Sequence, residues 1–377
     1  MKAEDTVSQR RLETWLAPLG AMAGLAAMAL LGLWAFLTTP APPLHPAAAD
    51  VPAVLRSAPL PRWADAAAEA RRIVRSALVE RNLPGLSVAV GVAGEVAWAE
   101  GFGWADLEAR VPVTPETQFR IGTASTALTS AAVGLLLEQA RLTLDDEIQT
   151  LVPAFPLKRW PVTLRALMEH TAGLGTDGGD EGPLLAVHCE RPADALPHFA
   201  DQALLFEPGT QVRPSSYGWI LVSAAVEAVA HTPFHRFMRK QVFEPLGMDD
   251  TRADAATGPH PDQATSYFPR FAADPRYGAD LMRPIDHSCY AGAGAFLSTP
   301  SDLVRFAMAM REGRLLRPAT VEELPAWQDR HDGDVLGGQV ASLTVHDGTI
   351  VVAVISNESY AETSTLATAV ARAFAAR

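Results

Sequence analysis

Apolar positions along this chain follow three rhythms. The first is an unbroken run, "LAPLGAMAGLAAMALLGLWAFL" from Leu16 to Leu37, without a charged residue. A bilayer core takes roughly 20 apolar residues as a helix, so the run predicts a transmembrane anchor over residues 16–37. The second rhythm is helical. Ile73, Val74, Leu78 and nearby alanines share one side of a helix over Ala64–Arg81, and Leu128, Ala131, Ala132, Leu135 and Leu136 share one face over Thr123–Gln139. "YGWILVSAAVEAVA" (Tyr217–Ala230), "SDLVRFAMAM" (Ser301–Met310, behind Pro300) and Glu362–Ala375 predict further helices. The third rhythm is that of strands. "LSVAVGVAG" and "EVAWAEGFGW" meet at Ala93-Gly94, and "GQVASLTV" and "TIVVAVIS" meet at Asp347-Gly348; both pairs predict hairpins. From the second helix to about Gly278, helical stretches alternate with loops rich in Gly and Pro. The order predicts an α/β architecture: a sheet drawn from residues 64–122 and 290–377, with a helical part over about 123–289.

Charge refines the picture of the front end. Lys2, Arg10 and Arg11 precede the apolar run, and no Lys or Arg follows it until Arg56. This asymmetry predicts a cytoplasmic N-terminus over residues 1–15 and a main domain in the periplasmic or extracytoplasmic space, held by a single pass through the inner (cytoplasmic) membrane. A cleaved signal peptide ending at Ala47–Ala49 is the rival reading. Residues 38–63 are rich in Pro and Ala and predict an extended tether. The domain of interest is then 64–377. Over the whole chain, 31 Lys plus Arg stand against 43 Asp plus Glu, a net charge of −12, which argues against nucleic acid as a partner. Cys189 and Cys289 are too few for a disulfide scaffold. They leave open a single bridge, free thiols, or a zinc set with His188 and His287 that lacks the usual spacing. His231 and His235, four apart, make a second, weaker metal pair. Neither set leads us to expect a metal or any other cofactor.

Several phrases occur in a recognisable order: "LPGLSVAV", "TPETQFRIGTAS", "LTLDDEIQTLVPAFP", "VTLRALMEHTAGL", "FEPGT", "FEPLGMDDT" and "AFLSTPSDLVRFA". On these the chain resembles the serine β-lactamase and penicillin-binding superfamily, and most of all its class C β-lactamase-related members and the mitochondrial β-lactamase-like serine hydrolases. The resemblance runs from about Ala64 to the C-terminus. It implies a β-lactamase/transpeptidase-like fold, in which a five-stranded antiparallel sheet flanked by helices adjoins an all-helical domain, with the active-site cleft between them.

The resemblance also implies three catalytic motifs, and each is altered here. Where the family has Ser-x-x-Lys at a helix start, this chain has Thr123-Ala124-Ser125-Thr126. A hydroxyl persists at Thr123, but Thr126 replaces the base, and the sequence holds no Ser-x-x-Lys elsewhere because Phe155 and Phe237 stand three before Lys158 and Lys240. Thr123 reads more simply as a helix N-cap. Where the family has Tyr-x-Asn, Pro214 takes the Tyr position and Ser216 the Asn position. Proline has neither donor nor titratable group; Tyr217, one register on, reads as core. The third motif survives as His331-Asp332-Gly333, but Asp332 and Asp334 add carboxylates where negative charge develops in acyl transfer. The strand that precedes this motif in relatives has almost no room in "LPAWQDRHDG". These losses predict a membrane-anchored pseudoenzyme that binds a ligand or partner. The alternative is a weak esterase or amidase using Thr123 or Ser125, with His170 as the nearest candidate base.

Overall fold

The computed structural model describes residues 22, 24–36, 39–176, 178, 182–254, 260–271, 273–325, 330–335 and 339–376; for 330–335, 339 and 340 the backbone alone is described. The chain divides into two compact units, Met1–Pro42 and Pro43–Arg377.

In the first unit, residues 24–36 are helical. Among the described residues no helix is long and apolar enough to cross a membrane. This corrects the expectation of a transmembrane anchor over 16–37 and of membrane attachment through it.

The second unit is built on an antiparallel sheet. Its strands are β1 (Ala53–Leu55), β2 (Gly85–Val92), β3 (Glu95–Asp106), β4 (Val111–Pro112), β5 (Arg330–Val335), β6 (Gln339–His346) and β7 (Ile350–Ser356). They lie in the order β1-β3-β2-β7-β6-β5, with β4 also paired to β3. The five longer strands form the expected five-stranded sheet; β1 and β4 are short additions at one side. Strand β1 corrects the expectation of a free tether over 38–63. Ala53 pairs with Phe102 and Leu55 with Glu100, His45 and Val51 are buried, and the Asn82 side-chain oxygen accepts from Leu44 N–H at 2.7 Å. The second half of the Pro/Ala-rich stretch is therefore part of the domain.

Five helices flank this sheet or pack beside it: α1 (Ala64–Arg81), α2 (Ser125–Glu138), α3 (Ser216–Ala230), α4 (Pro300–Arg311) and α5 (Thr363–Ala375). Ala66, Ala70, Val74 and Leu78 of α1 and Leu366, Val370 and Phe374 of α5 bury one sheet face, made by Leu86, Val88, Val90, Val352 and Val354. Helix α4 covers the alternate positions of the same strands, among them Ala89, Val351, Ala353 and Ile355. With both faces covered, β7 is buried along its whole length, which is why its sequence is a continuous apolar run rather than an alternation. Gly91 permits the approach of α4, since a Cβ there would lie 2.5 Å from Val304 and 2.6 Å from the Met308 sulfur. Helices α2 and α3 pack against each other in the helical part, and the N-termini of both meet at one cleft.

Candidate active-site cleft

The first wall is fixed by a small sheet. Phe119–Arg120 pairs with Phe296–Ser298, which also pairs with Arg252–Ala253, and Ile121 N–H donates to the Phe296 carbonyl at 3.1 Å. Gly122, at φ 50°, then turns the chain into a 3-10 segment, Gly122–Ala124, and α2 begins at Ser125. The N-cap position falls on Ala124 and no side-chain oxygen caps the helix. This corrects the reading of Thr123 as N-cap. Thr123 is instead exposed, while Ser125, two residues on, is fully buried. Thr126 Oγ1 donates to the Thr123 carbonyl at 2.8 Å.

The second wall is the turn that opens α3. His170 adopts a left-handed conformation, φ 60°, and its carbonyl accepts from Arg213 N–H at 2.8 Å. Its Nδ1 accepts from Ser215 N–H at 3.2 Å, and Ser215 Oγ donates to the Gly175 carbonyl at 2.6 Å. Burial lowers the His170 pKa. With Nδ1 occupied as an acceptor, the neutral ring carries its proton on Nε2, so it is a donor there and offers no free lone pair for a general base. Pro214 is exposed and Ser216 half-buried. Tyr217 is buried, its ring stacked on Phe199 at 4.2 Å, as a packing residue would be.

The floor is the segment Ser288–Ala293. Ala291 sits at φ 43° and ψ −126°. Gly292 is wedged so closely that a Cβ would meet Thr129 Oγ1 at 2.2 Å and Ser223 Oγ at 2.6 Å. Thr129 of α2 donates to the Gly292 carbonyl at 2.9 Å, and Gly292 N–H donates to Ser223 of α3 at 3.1 Å. One residue thus ties the floor to both helices. A disulfide between Cys189 and Cys289 anchors the same segment. Both sulfurs are consumed by that bond, which removes the thiolate ligands of the zinc set considered with His188 and His287. His231 ends α3 in a left-handed conformation and is exposed, whereas His235 is half-buried. Among the described residues no group of three or more His, Cys, Asp or Glu is placed to hold a metal.

A cavity of about 410 Å³ opens between these surfaces, lined by Thr123, Thr126, Pro214 and Ser216 together with His170, Thr176, Ser215, Trp219 and Ala293. Four positions picked from the motifs therefore share one cleft. Thr176, Trp219 and Ala293 were not singled out in the sequence. The signal for Trp219 was available, since it lies one helical turn beyond Ser216 on the same face; nothing local marked Thr176 or Ala293. His331 and Gly333 lie on β5, facing Leu343 and Ala341 in register, and β5 runs beside the turn Gly122–Ala124. Their side chains lie outside the described residues. Both described lysines are engaged away from the cleft: Lys158 Nζ donates to the carbonyls of Ala200 and Gln202, and Lys240 pairs with Glu244 at 2.8 Å.

The sequence profile described as Beta-lactamase matches residues 70–342. Among curated proteins, the human "Serine beta-lactamase-like protein LACTB, mitochondrial" is 28% identical over 303 residues, covering 62% of this chain and 54% of that protein. The chain spans about half the length of the curated relatives it matches. Among solved structures, the octameric penicillin-binding protein homologue from Pyrococcus abyssi superposes with a TM-score of 0.70 at 22% identity, over 82% of this chain and 77% of that one. D-amino acid amidase from Ochrobactrum anthropi SV3, complexed with L-phenylalanine amide, gives 0.69 at 22% identity over 83% and 98%. At such identity these two structures speak for the shared fold alone.

Proposed function

We propose that this chain, which belongs to the β-lactamase family, keeps the family's cleft as a ligand-binding site and has lost its hydrolytic chemistry. Thr126 carries this reading. At the position of the family's base stands an alcohol whose proton is committed to the Thr123 carbonyl 2.8 Å away. An alcohol takes no proton from another alcohol near neutral pH. Pro214, at the position of the second proton carrier, has nothing to exchange. A positioned general base is worth about 10²–10⁴ in rate, and losing a unit that activates a nucleophile costs on the order of 10⁶. Shape and dipoles retained in the cleft do not offset such losses. The buried disulfide supports maturation of the domain in an oxidising compartment.

The test is covalent labelling. Purified full chain is incubated with a fluorescent penicillin and, separately, with a fluorophosphonate, then read by intact mass. The expected result is no adduct with either. An adduct that disappears in Thr123→Ala would overturn the reading and favour the second one, a weak threonine-type esterase or amidase. One observation favours that second reading: Thr123 is exposed, lines the cleft and does not stand at the N-cap of α2. Ser125, the other candidate nucleophile, is fully buried and out of reach of a substrate.

A further inference from the structure

Resting on the binding reading above, we propose that the cleft selects an uncharged, amide-bearing ligand and discriminates against carboxylates. A volume of about 410 Å³ suits a small molecule. Among the described residues lining it, none is Lys, Arg, Asp or Glu; the polar side-chain groups are hydroxyls and the His170 ring, the Trp219 indole nitrogen being buried. An ionised ligand entering this space loses its water and finds no counter-charge in return. His170 does not supply one, since its Nδ1 is held by Ser215 N–H and burial disfavours the imidazolium. The nearest cation by chain, Arg213, lines a separate void of about 10 Å³ that also borders His170.

Hydrogen-bond polarity sharpens the choice. The hydroxyl protons of Thr126 and Ser215 are already donated to the carbonyls of Thr123 and Gly175. Each oxygen therefore presents only lone pairs to a ligand. A carboxylate, which only accepts, meets these oxygens acceptor to acceptor. A primary amide brings N–H donors to them, and its carbonyl suits a donor such as the neutral His170 Nε2–H.

Matched pairs test this: benzoate with benzamide, phenylacetate with phenylacetamide, and N-acetylalaninate with N-acetylalaninamide. Binding to the full chain at pH 7 is measured by ligand-observed NMR. Pro214→Trp and Thr176→Trp, two exposed substitutions that fill the cleft, serve as blocking controls. The amides are expected to bind at least tenfold tighter than the acids, to lose binding in the blocked variants, and to weaken about tenfold in Thr126→Val, which keeps the shape and removes the acceptor. Acids that bind the cleft as well as or better than their amides overturn this inference and leave the binding reading standing; loss of that acid binding in Arg213→Gln would assign the recognition to the guanidinium. If no member of either series binds in a way the blocking variants abolish, the binding reading fails as well.

Discussion

Glu358 holds a carboxyl group with nowhere to put a charge. It follows β7, is fully buried, and neither carboxyl oxygen has a hydrogen-bond partner. Burial pushes its pKa up to about 9 from an ordinary 4.5. The folded chain thus retains a proton that the unfolded chain releases between those values. Stability from this group is full below the unfolded pKa and is lost as pH rises toward the folded one, by at most about 1.4 kcal/mol per pH unit. Glu358→Gln keeps the neutral shape without the titration. Thermal melts from pH 5 to pH 9 should show the wild-type Tm falling relative to that of the variant as pH rises, with the two closest at the acid end. Parallel curves would disprove the assignment. No sequence rule marks this residue, because its ionisation depends on what surrounds it after folding. Thr123 teaches the same lesson. Its position before a helix suggested a cap, but the extra 3-10 turn moved the helix start beyond it.

At the scale of elements, local signals were dependable. The Ala93-Gly94 turn adopts the positive φ values that a two-residue hairpin requires; Asp347 and Gly348 also have positive φ, within a three-residue connection from His346 to Ile350. Helix α4 starts at Pro300, with the Thr299 side chain accepting from Asp302 N–H, the geometry that a Thr-Pro pair encodes. The floor of the cleft was not legible in this way. Segment Ser288–Ala293 is ordered by partners far along the chain, including Cys189 at a separation of 100 residues. A loop that long gives the disulfide a large effect on the unfolded state, and removing a native bridge typically costs about 2–5 kcal/mol. Cys189→Ser with Cys289→Ser should therefore lower the Tm, and reductant should lower the wild-type Tm to a similar value while leaving the variant unchanged. A variant as stable as wild type would show that Thr129, Ser223 and Gly292 hold the floor unaided.

On the scale of the whole molecule, the chain carries the family's fold, whereas Thr123, Thr126, Pro214 and Ser216 depart from the residues that the resemblance implies at those four positions. If the backbone still places those positions correctly, restoring the side chains should restore reactivity. The combined variant Thr123→Ser, Thr126→Lys, Pro214→Tyr, Ser216→Asn is expected to be labelled by the fluorescent penicillin at least 10²-fold faster than any of its single variants, the gain assigned to a positioned base. No labelling of a folded combined variant would place the defect in the backbone or on strand β5 instead. The sequence by itself determined the family, the alternation of strands and helices, and the absence of Ser-x-x-Lys, because these rest on residue types and short spacings. The tertiary structure alone decided which residues line the cleft, that His170 Nδ1 accepts from Ser215 N–H, that the two cysteines join, and that the stretch after Pro42 is folded into the domain. Those properties depend on burial and on partners distant in the chain, and neither is set until the sheet has brought its two halves together.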